Sequence, residues 1–239
     1  MRPINRGDIP KDSDGEDKKY STYQKARGDL IKRIGDYCSY CEMQLDSSLA
    51  VEHVLPKKPE GAQDIDQERL LDWNNFLLAC TNCNSNKGNE DVDLQDYVWP
   101  DVHNTFLALQ YAEGGIVTAS DSITSPLKER IEALIKLVGL DKRPPVEHEA
   151  SDRRWRKRMT VWDKAVQARE RLESCNIPQM REQIVDTATG DGYWSIWMTV
   201  FSQDSDMLRR LISASSFKGT DANCFDANGK PIVRIQGDI

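Results

Sequence analysis

The chain lacks what a membrane protein or a free-standing polyanion binder needs. No apolar run among its 239 residues approaches the roughly 20 residues that span a bilayer. Hydrophobic residues make up 38% and mean hydropathy is −0.64, enough for a core but not a generous one. The opening stretch Met1 to Pro10 has no apolar segment of the kind a secretory leader carries, so a cytoplasmic protein is expected. Positive charge is in deficit. The formal net charge is −7 and the pI about 5.1, whereas nucleic-acid-binding domains are usually basic. That balance leaves room only for local basic surfaces, or for a partner that supplies the grip. Histidine is scarce at three residues, and two of them, His103 and His148, sit in no motif and read as surface or structural. There is no internal repeat and no long low-complexity tract.

What the chain does have is paired cysteine. Cys38-Ser39-Tyr40-Cys41 and Cys80-Thr81-Asn82-Cys83 are two CxxC turns. In a reducing compartment such pairs read as metal ligands before disulfides. Each turn lets two sulfurs converge on one ion, and two turns complete the closed tetrahedral set of a structural zinc site. The alternatives are two unrelated pairs or one redox pair. The motif between the pairs weighs against both. Enough chain separates Cys41 from Cys80 that something must be folded between them. Cys175 and Cys224 stand alone and read as ordinary thiols.

Between the pairs lies Val51-Glu52-His53-Val54-Leu55-Pro56-Lys57, and the second pair runs directly into Asn84-Ser85-Asn86-Lys87. Phosphodiester hydrolysis needs a base for water and a cation for the leaving oxygen. His53 suits the base, with an ordinary pKa of about 6.5. Glu52 and Asn84 offer a carboxylate and an amide oxygen, the hard donors that Mg²⁺ or Mn²⁺ takes. Taken alone, a Glu-His dipeptide is a solvated strand glutamate beside a core histidine. On a strand the two side chains also alternate faces, so a bend or bulge is needed to bring both to one phosphate. The flanking cysteines and the N-x-x-K that follows them reverse the odds.

The string C-x-x-C…E-H-V-L-P-K…W-N-N-F-L-L-A-C-x-x-C-N-x-x-K resembles the HNH endonucleases of the zinc-stapled ββα-metal class, over about Tyr37 to Lys87. The resemblance implies a metal-binding acid at Glu52 and a general base at His53. It implies an asparagine that holds the loop and orients the histidine, which falls on Asn75, with Asn74 the alternative. It puts a metal ligand at Asn84 and Lys87 near the substrate phosphate. One departure is Glu52, where many relatives carry Asp. The opening Met-Arg-Pro-Ile-Asn-Arg-Gly, the E-H-V-L-P-K-K and the helical tail further resemble the PtuB-type nuclease subunits of Septu and retron-associated antiphage systems. That resemblance implies a partner, a PtuA-like ATPase related to ABC and SMC-type ATPases, and a nucleic-acid substrate. By position, Lys57 and Lys58 beside the base are the better phosphate contacts.

The expected fold is α+β and mainly helical, with a ββα core stapled by zinc between an N-terminal helix and a helical C-terminal region. Residues 1–35 form an arm and a helix, 36–99 the nuclease module, and 100–239 a helical region expected to dock the partner. Tyr23, Ala26, Leu30 and Ile34 mark one helical face over about 17–34, stopped by Gly35. Val51–Leu55 and Phe76–Ala79 are the predicted strands, and Asn82–Lys87 opens the predicted helix. Leu127 to Val138 is a helical stripe ended by Gly139 and Pro144-Pro145. Trp155, Met159, Trp162 and Val166 are the apolar stripe of a long helix, about 151–174. Weaker helices are predicted near 178–186, 193–201 and 205–215, then a turn at Asn228-Gly229-Lys230 and a short strand Pro231–Ile235.

From Arg153 to Arg171, eight basic residues face two acids. They read either as a phosphate-tracking helix or as a solvated helix paired with acids elsewhere. The functional reading is a metal-dependent endonuclease, most simply DNA-cleaving. The residues do not separate DNA from an RNA such as tRNA. The reading from another class is a non-catalytic zinc adaptor, against which Glu52, His53 and Asn84 stand together.

Overall fold

A computed structural model describes residues 1–142, 152–213, 215–235 and 237–239. Pro144, Pro145 and His148 lie outside the described residues. The elements in chain order are α1 (Arg27–Ile34), β1 (Ala50–His53), α2 (Gln67–Leu71), β2 (Phe76–Ala79), α3 (Thr81–Lys87), α4 (Thr105–Ala108), β3 (Leu109–Ala112), β4 (Ile116–Ala119), α5 (Leu127–Leu137), α6 (Arg154–Ser174), α7 (Pro178–Asp191), α8 (Trp194–Val200) and α9 (Ser205–Ile212). The fold is α+β and mainly helical, as expected.

β1 and β2 pair antiparallel in the register Ala50↔Ala79 to His53↔Phe76, and α3 follows at once. β2 is buried along its whole length. Its alternate residues serve two cores. Phe76 and Leu78 pack with Val51 against Ala26, Leu30 and Ile34 of the N-terminal turn and α1. Leu77 and Ala79 face the cysteines and the C-terminal helices. Two buried faces explain why this strand reads as an unbroken apolar run.

α1 begins later than its pattern suggested. Lys11–Asp17 forms an isolated bridge, and a 3₁₀ turn over Tyr23–Ala26 precedes the helix. Gly35 does end it, at φ +77. A Cβ there would lie 2.9 Å from the Tyr37 ring, so the stop requires glycine.

The first residues are extended but tied down. The Arg2 guanidinium donates to the carbonyls of Ile34 and Lys218, and the Ile4 amide donates to the Pro100 carbonyl at 2.6 Å. Just past the first CxxC turn, the buried Glu42 carboxylate accepts from the Ser195 hydroxyl at 2.6 Å, fixing that turn to α8.

The predicted C-terminal helices are present as α5 to α9. The predicted last strand is not. Only an isolated Phe225↔Pro231 bridge forms, after a turn in which Asp226 accepts from the Gly229 and Lys230 amides. A hairpin, β3 paired with β4, was not foreseen. Its turn carries Gly115 at φ +73, where a Cβ would sit 2.4 Å from the Trp155 carbonyl. That glycine lets α6 lie directly on the hairpin.

α6 is rotated from its expected face. Its buried residues are Arg154, Arg158, Val161, Ala165 and Leu172, while Trp155, Met159, Trp162 and Val166 are half-buried shoulders. The reason is that two arginines are structural. Arg154 donates to the Val138 and Gly139 carbonyls and pairs with Asp152. Arg158 donates to the Gly115 and Leu140 carbonyls. Farther along, Lys157 and Lys164 both pair with Asp191, and Arg169 pairs with Glu173. The helix therefore keeps only part of the positive surface its sequence suggested. His103 is structural. It is buried, and its Nδ1 accepts from the Trp99 amide at 3.0 Å.

Candidate active site

The cysteine cluster comes together. The sulfurs of Cys38, Cys41, Cys80 and Cys83 all lie within 4.8 Å of one another, and all four residues are buried and unbridged. The Cys41–Cys80 separation is 3.7 Å. A zinc tetrahedron with bonds of about 2.3 Å has sulfur–sulfur edges of roughly 3.8 Å. The four residues can hold zinc. Cys80 also caps α3, accepting from the Cys83 amide at 3.4 Å. Hydrogen bonds from Cys38, Cys41 and Cys83 hold the Cys80 thiol well below its ordinary pKa. Four thiolates on a divalent ion leave a net negative charge, and the chain supplies a counter-charge. Arg154 Nη1 donates to Cys83 Sγ at 2.9 Å, inside the protein. Burial works against that guanidinium, but the Asp152 carboxylate and the cysteines raise its pKa above the ordinary value.

Glu52, His53, Lys57 and Asn84 line one cleft of 250 Å³. Glu52 and His53 leave opposite faces of β1. His53 packs edge-on against Phe76 and Tyr23, with ring centroids 5.2 and 4.8 Å away. Glu52 turns toward α3 and pairs with Lys87 at 3.2 Å. Glu52 and His53 are both buried yet border the cleft, and the strand carries them there without a bulge.

His53 Nε2 lies 3.1 Å from the Leu70 carbonyl. A carbonyl only accepts, so Nε2 carries the proton and Nδ1 keeps its lone pair. Burial lowers the imidazole to about 4, helped by the Lys57 and Lys87 charges and partly offset by the Leu70 carbonyl. The ring is therefore neutral near pH 7, as a general base must be.

Asn75 sets this up. It is buried, accepts from the Leu55 amide at 2.7 Å, and donates to the carbonyls of Leu55 and Arg69 at 2.8 and 3.0 Å. It thus grips both ends of the loop whose Leu70 carbonyl meets His53. Asn74 is exposed, and its side chain takes no part in that grip.

Burial raises the Glu52 carboxyl to about 7, against the pull of Lys87 and Lys57. Asn84 is half-buried, and among the described residues its side chain has no hydrogen-bond partner. The Glu52 carboxylate, paired on one side with Lys87, and the unengaged Asn84 amide on one cleft suit a hard divalent cation that keeps several waters.

Lys87 stands elsewhere than expected. It is buried, and its ammonium donates to the His53 carbonyl at 2.9 Å as well as facing Glu52. It is an internal counter-charge rather than a surface contact. Lys58 is exposed and does not line the cleft. Tyr23, Gln24 and Arg27 do line it. The sequence pattern assigned Tyr23 to a packing face and left the other two unremarked. Nothing in the local sequence marks them. A larger hollow of 810 Å³ opens behind Asn75, lined by Arg6, Asp101 and Arg130 among others, but Glu52, His53 and Asn84 are not part of it.

The family model of HNH endonucleases matches residues 38–90. This segment is an HNH module. It contains the whole cysteine cluster and the cleft residues Glu52, His53, Lys57 and Asn84. The chain is also 33% identical over 76 residues to the Septu protein PtuB of Bacillus thuringiensis. That match covers 30% of this chain and 27% of PtuB, so the two correspond over about a quarter of the relative's length. Among the described residues no helix is long and apolar enough to cross a membrane.

Proposed function

We propose that the chain is a metal-dependent endonuclease that hydrolyses nucleic-acid phosphodiesters, and that it is the DNA-cutting subunit of an antiphage complex with a PtuA-type ATPase. The observation that carries the chemistry is His53, held through Nε2 by the Leu70 carbonyl and lining the same cleft as Glu52 and Asn84. His53 Nδ1 takes a proton from water. The water oxygen attacks phosphorus in line with the 3′ oxygen, which leaves. The leaving 3′ oxygen takes a proton from solvent water, the products carry 5′-phosphate and 3′-hydroxyl, and His53 returns its own proton to solvent. Glu52 and Asn84 would hold Mg²⁺ or Mn²⁺, which when bound supplies positive charge to the leaving oxygen. Lys87 favours the carboxylate form of Glu52, the form a cation needs. Asn75 keeps the Leu70 carbonyl on His53. The cysteines hold zinc as a structural ion.

The partner proposal rests on the likeness to PtuB and on charge. At pI 5.1 the chain gains little long-range attraction to a polyanion, so an ATPase that captures nucleic acid complements it. The helical region 100–239 is the proposed docking part. The test is cleavage of plasmid DNA and of tRNA in Mg²⁺ by the chain alone and co-purified with its ATPase. We expect cutting that needs His53 and is faster in the complex. Equal cutting by His53→Ala contradicts the chemistry, and equal cutting without the ATPase contradicts the partner.

A further inference from the structure

The HNH match begins at residue 38, yet the cleft does not. Its outer wall is the turn before α1 together with the first residue of that helix, contributing Tyr23, Gln24 and Arg27. This turn is fixed in place, because Ala26, Leu30 and Ile34 are buried against Val51, Phe76 and Leu78. Two cations border the cleft. Lys57 sits with its ammonium 4.4 Å from the centre of the Tyr23 ring, a cation–π contact, and Tyr23 in turn packs on His53. Arg27 is exposed at the rim. Among the described residues neither Lys57 nor Arg27 has a carboxylate partner, and other exposed cations nearby, such as Lys25, Lys32, Arg33 and Lys58, do not line the cleft. Arg69 pairs with Asp66 and Asp91, Lys87 with Glu52, Arg154 with Asp152. In an acidic chain, two unpaired cations converging on one cleft mark the place where an anion belongs.

Building on the nuclease reading, we infer that the Tyr23–Arg27 turn is the substrate-binding wall of the cleft. Arg27 takes the backbone phosphate next to the scissile one, and Tyr23 is a positioning residue that aims Lys57 at the nucleic acid. The ligand is a polynucleotide backbone, and a guanidinium is the side chain suited to bidentate phosphate contact.

The test is binding of labelled DNA and RNA strands of one sequence, by fluorescence anisotropy across a salt series, with Ca²⁺ in place of Mg²⁺ so that no turnover is needed. Arg27→Ala should weaken binding about tenfold. It should also flatten the slope of log affinity against log salt by about 0.7, the loss of one phosphate contact on a single strand. Tyr23→Ala should weaken binding as much as Lys57→Ala, with no further loss in the double variant, and Tyr23→Phe should restore it. Arg156→Ala and Arg171→Ala, exposed on α6, should leave affinity and slope unchanged. The wall is overturned if the wild-type chain binds neither strand, if Arg27→Ala keeps the wild-type affinity and slope, or if the α6 variants carry the loss instead. Its failure is separable from that of the nuclease reading. Cleavage that needs His53 but ignores Arg27 removes the wall alone. Binding that needs Arg27 without any His53-dependent cleavage removes the nuclease alone.

Discussion

The cysteine cluster and the cleft share the β1–β2–α3 unit, and they are built on opposite plans. The cluster is closed. Four buried sulfurs face one point, Arg154 balances their charge, and water has no access. The cleft is open. The donors we propose for its cation, Glu52 and Asn84, are too few to fill a coordination shell, and the proposed base, His53, keeps an unused lone pair. A complete ligand set stabilises a fold, and an incomplete one leaves positions for water and substrate. Changes to the two sites should therefore fail in different ways.

The largest effect is expected at the closed site. Cys80→Ser removes a zinc ligand while leaving a hydroxyl that still caps α3. Structural zinc contributes on the order of 10 kcal/mol to folding, so the variant should lose zinc by elemental analysis and lose cooperative thermal unfolding. Glu52→Ala and Asn84→Ala should do the reverse. Both should keep zinc and a cooperative melting transition, lowered in Glu52→Ala because Lys87 is left buried without its carboxylate, while cleavage falls about 10²-fold or more, restored only in part by excess Mg²⁺ or Mn²⁺. If either variant unfolds like Cys80→Ser, the division between the sites is wrong.

Arg154→Met sharpens the contrast, because it leaves every metal ligand in place. It strips a buried counter-charge from Cys83 and Asp152, and breaking such a pair costs about 3–5 kcal/mol. Zinc should pass to a chelator faster and the melting temperature should fall. An unchanged chelation rate would show that the charge on the cluster is balanced some other way. Asn75→Ala should have a smaller effect, about 1–3 kcal/mol for the buried groups it leaves unpaired. Its mark should be lower cleavage at constant zinc content, since it frees the Leu70 carbonyl from His53. The smallest effect belongs to Arg156→Ala, an exposed change expected to stay within about 0.5 kcal/mol with cleavage unaltered.

The closed site was legible in the sequence because its information is local. Two CxxC turns are enough to announce it, and the strand–strand–helix order around them followed from short apolar runs and the residues after Cys83. The open site was legible in part. Glu52, His53 and Asn84 lie in the motif, and Asn75 could be placed by spacing. Tyr23 and Arg27 could not, since they reach the cleft only through the packing of α1 on β1 and β2. Lys87 was misplaced for a related reason. The family resemblance put it near the substrate phosphate, and only the fold shows Glu52 and the His53 carbonyl drawing it inside. The arginines of α6 repeat the lesson. Their partners are the carbonyls of Gly115, Val138, Gly139 and Leu140 and the sulfur of Cys83, none of them on the helix itself. The β3–β4 hairpin escaped because its strands are four residues each, and only Gly114-Gly115 signals the turn.

The claim that one site holds the fold and the other does the chemistry is tested most directly by taking their ions away separately. The protein is dialysed against EDTA, its zinc is measured, and cleavage is assayed before and after Mg²⁺ is returned. The account predicts about one zinc per chain throughout, no cleavage after dialysis, and full recovery on Mg²⁺ alone. Cleavage that follows zinc content, or that persists with no divalent ion available to the cleft, would contradict it.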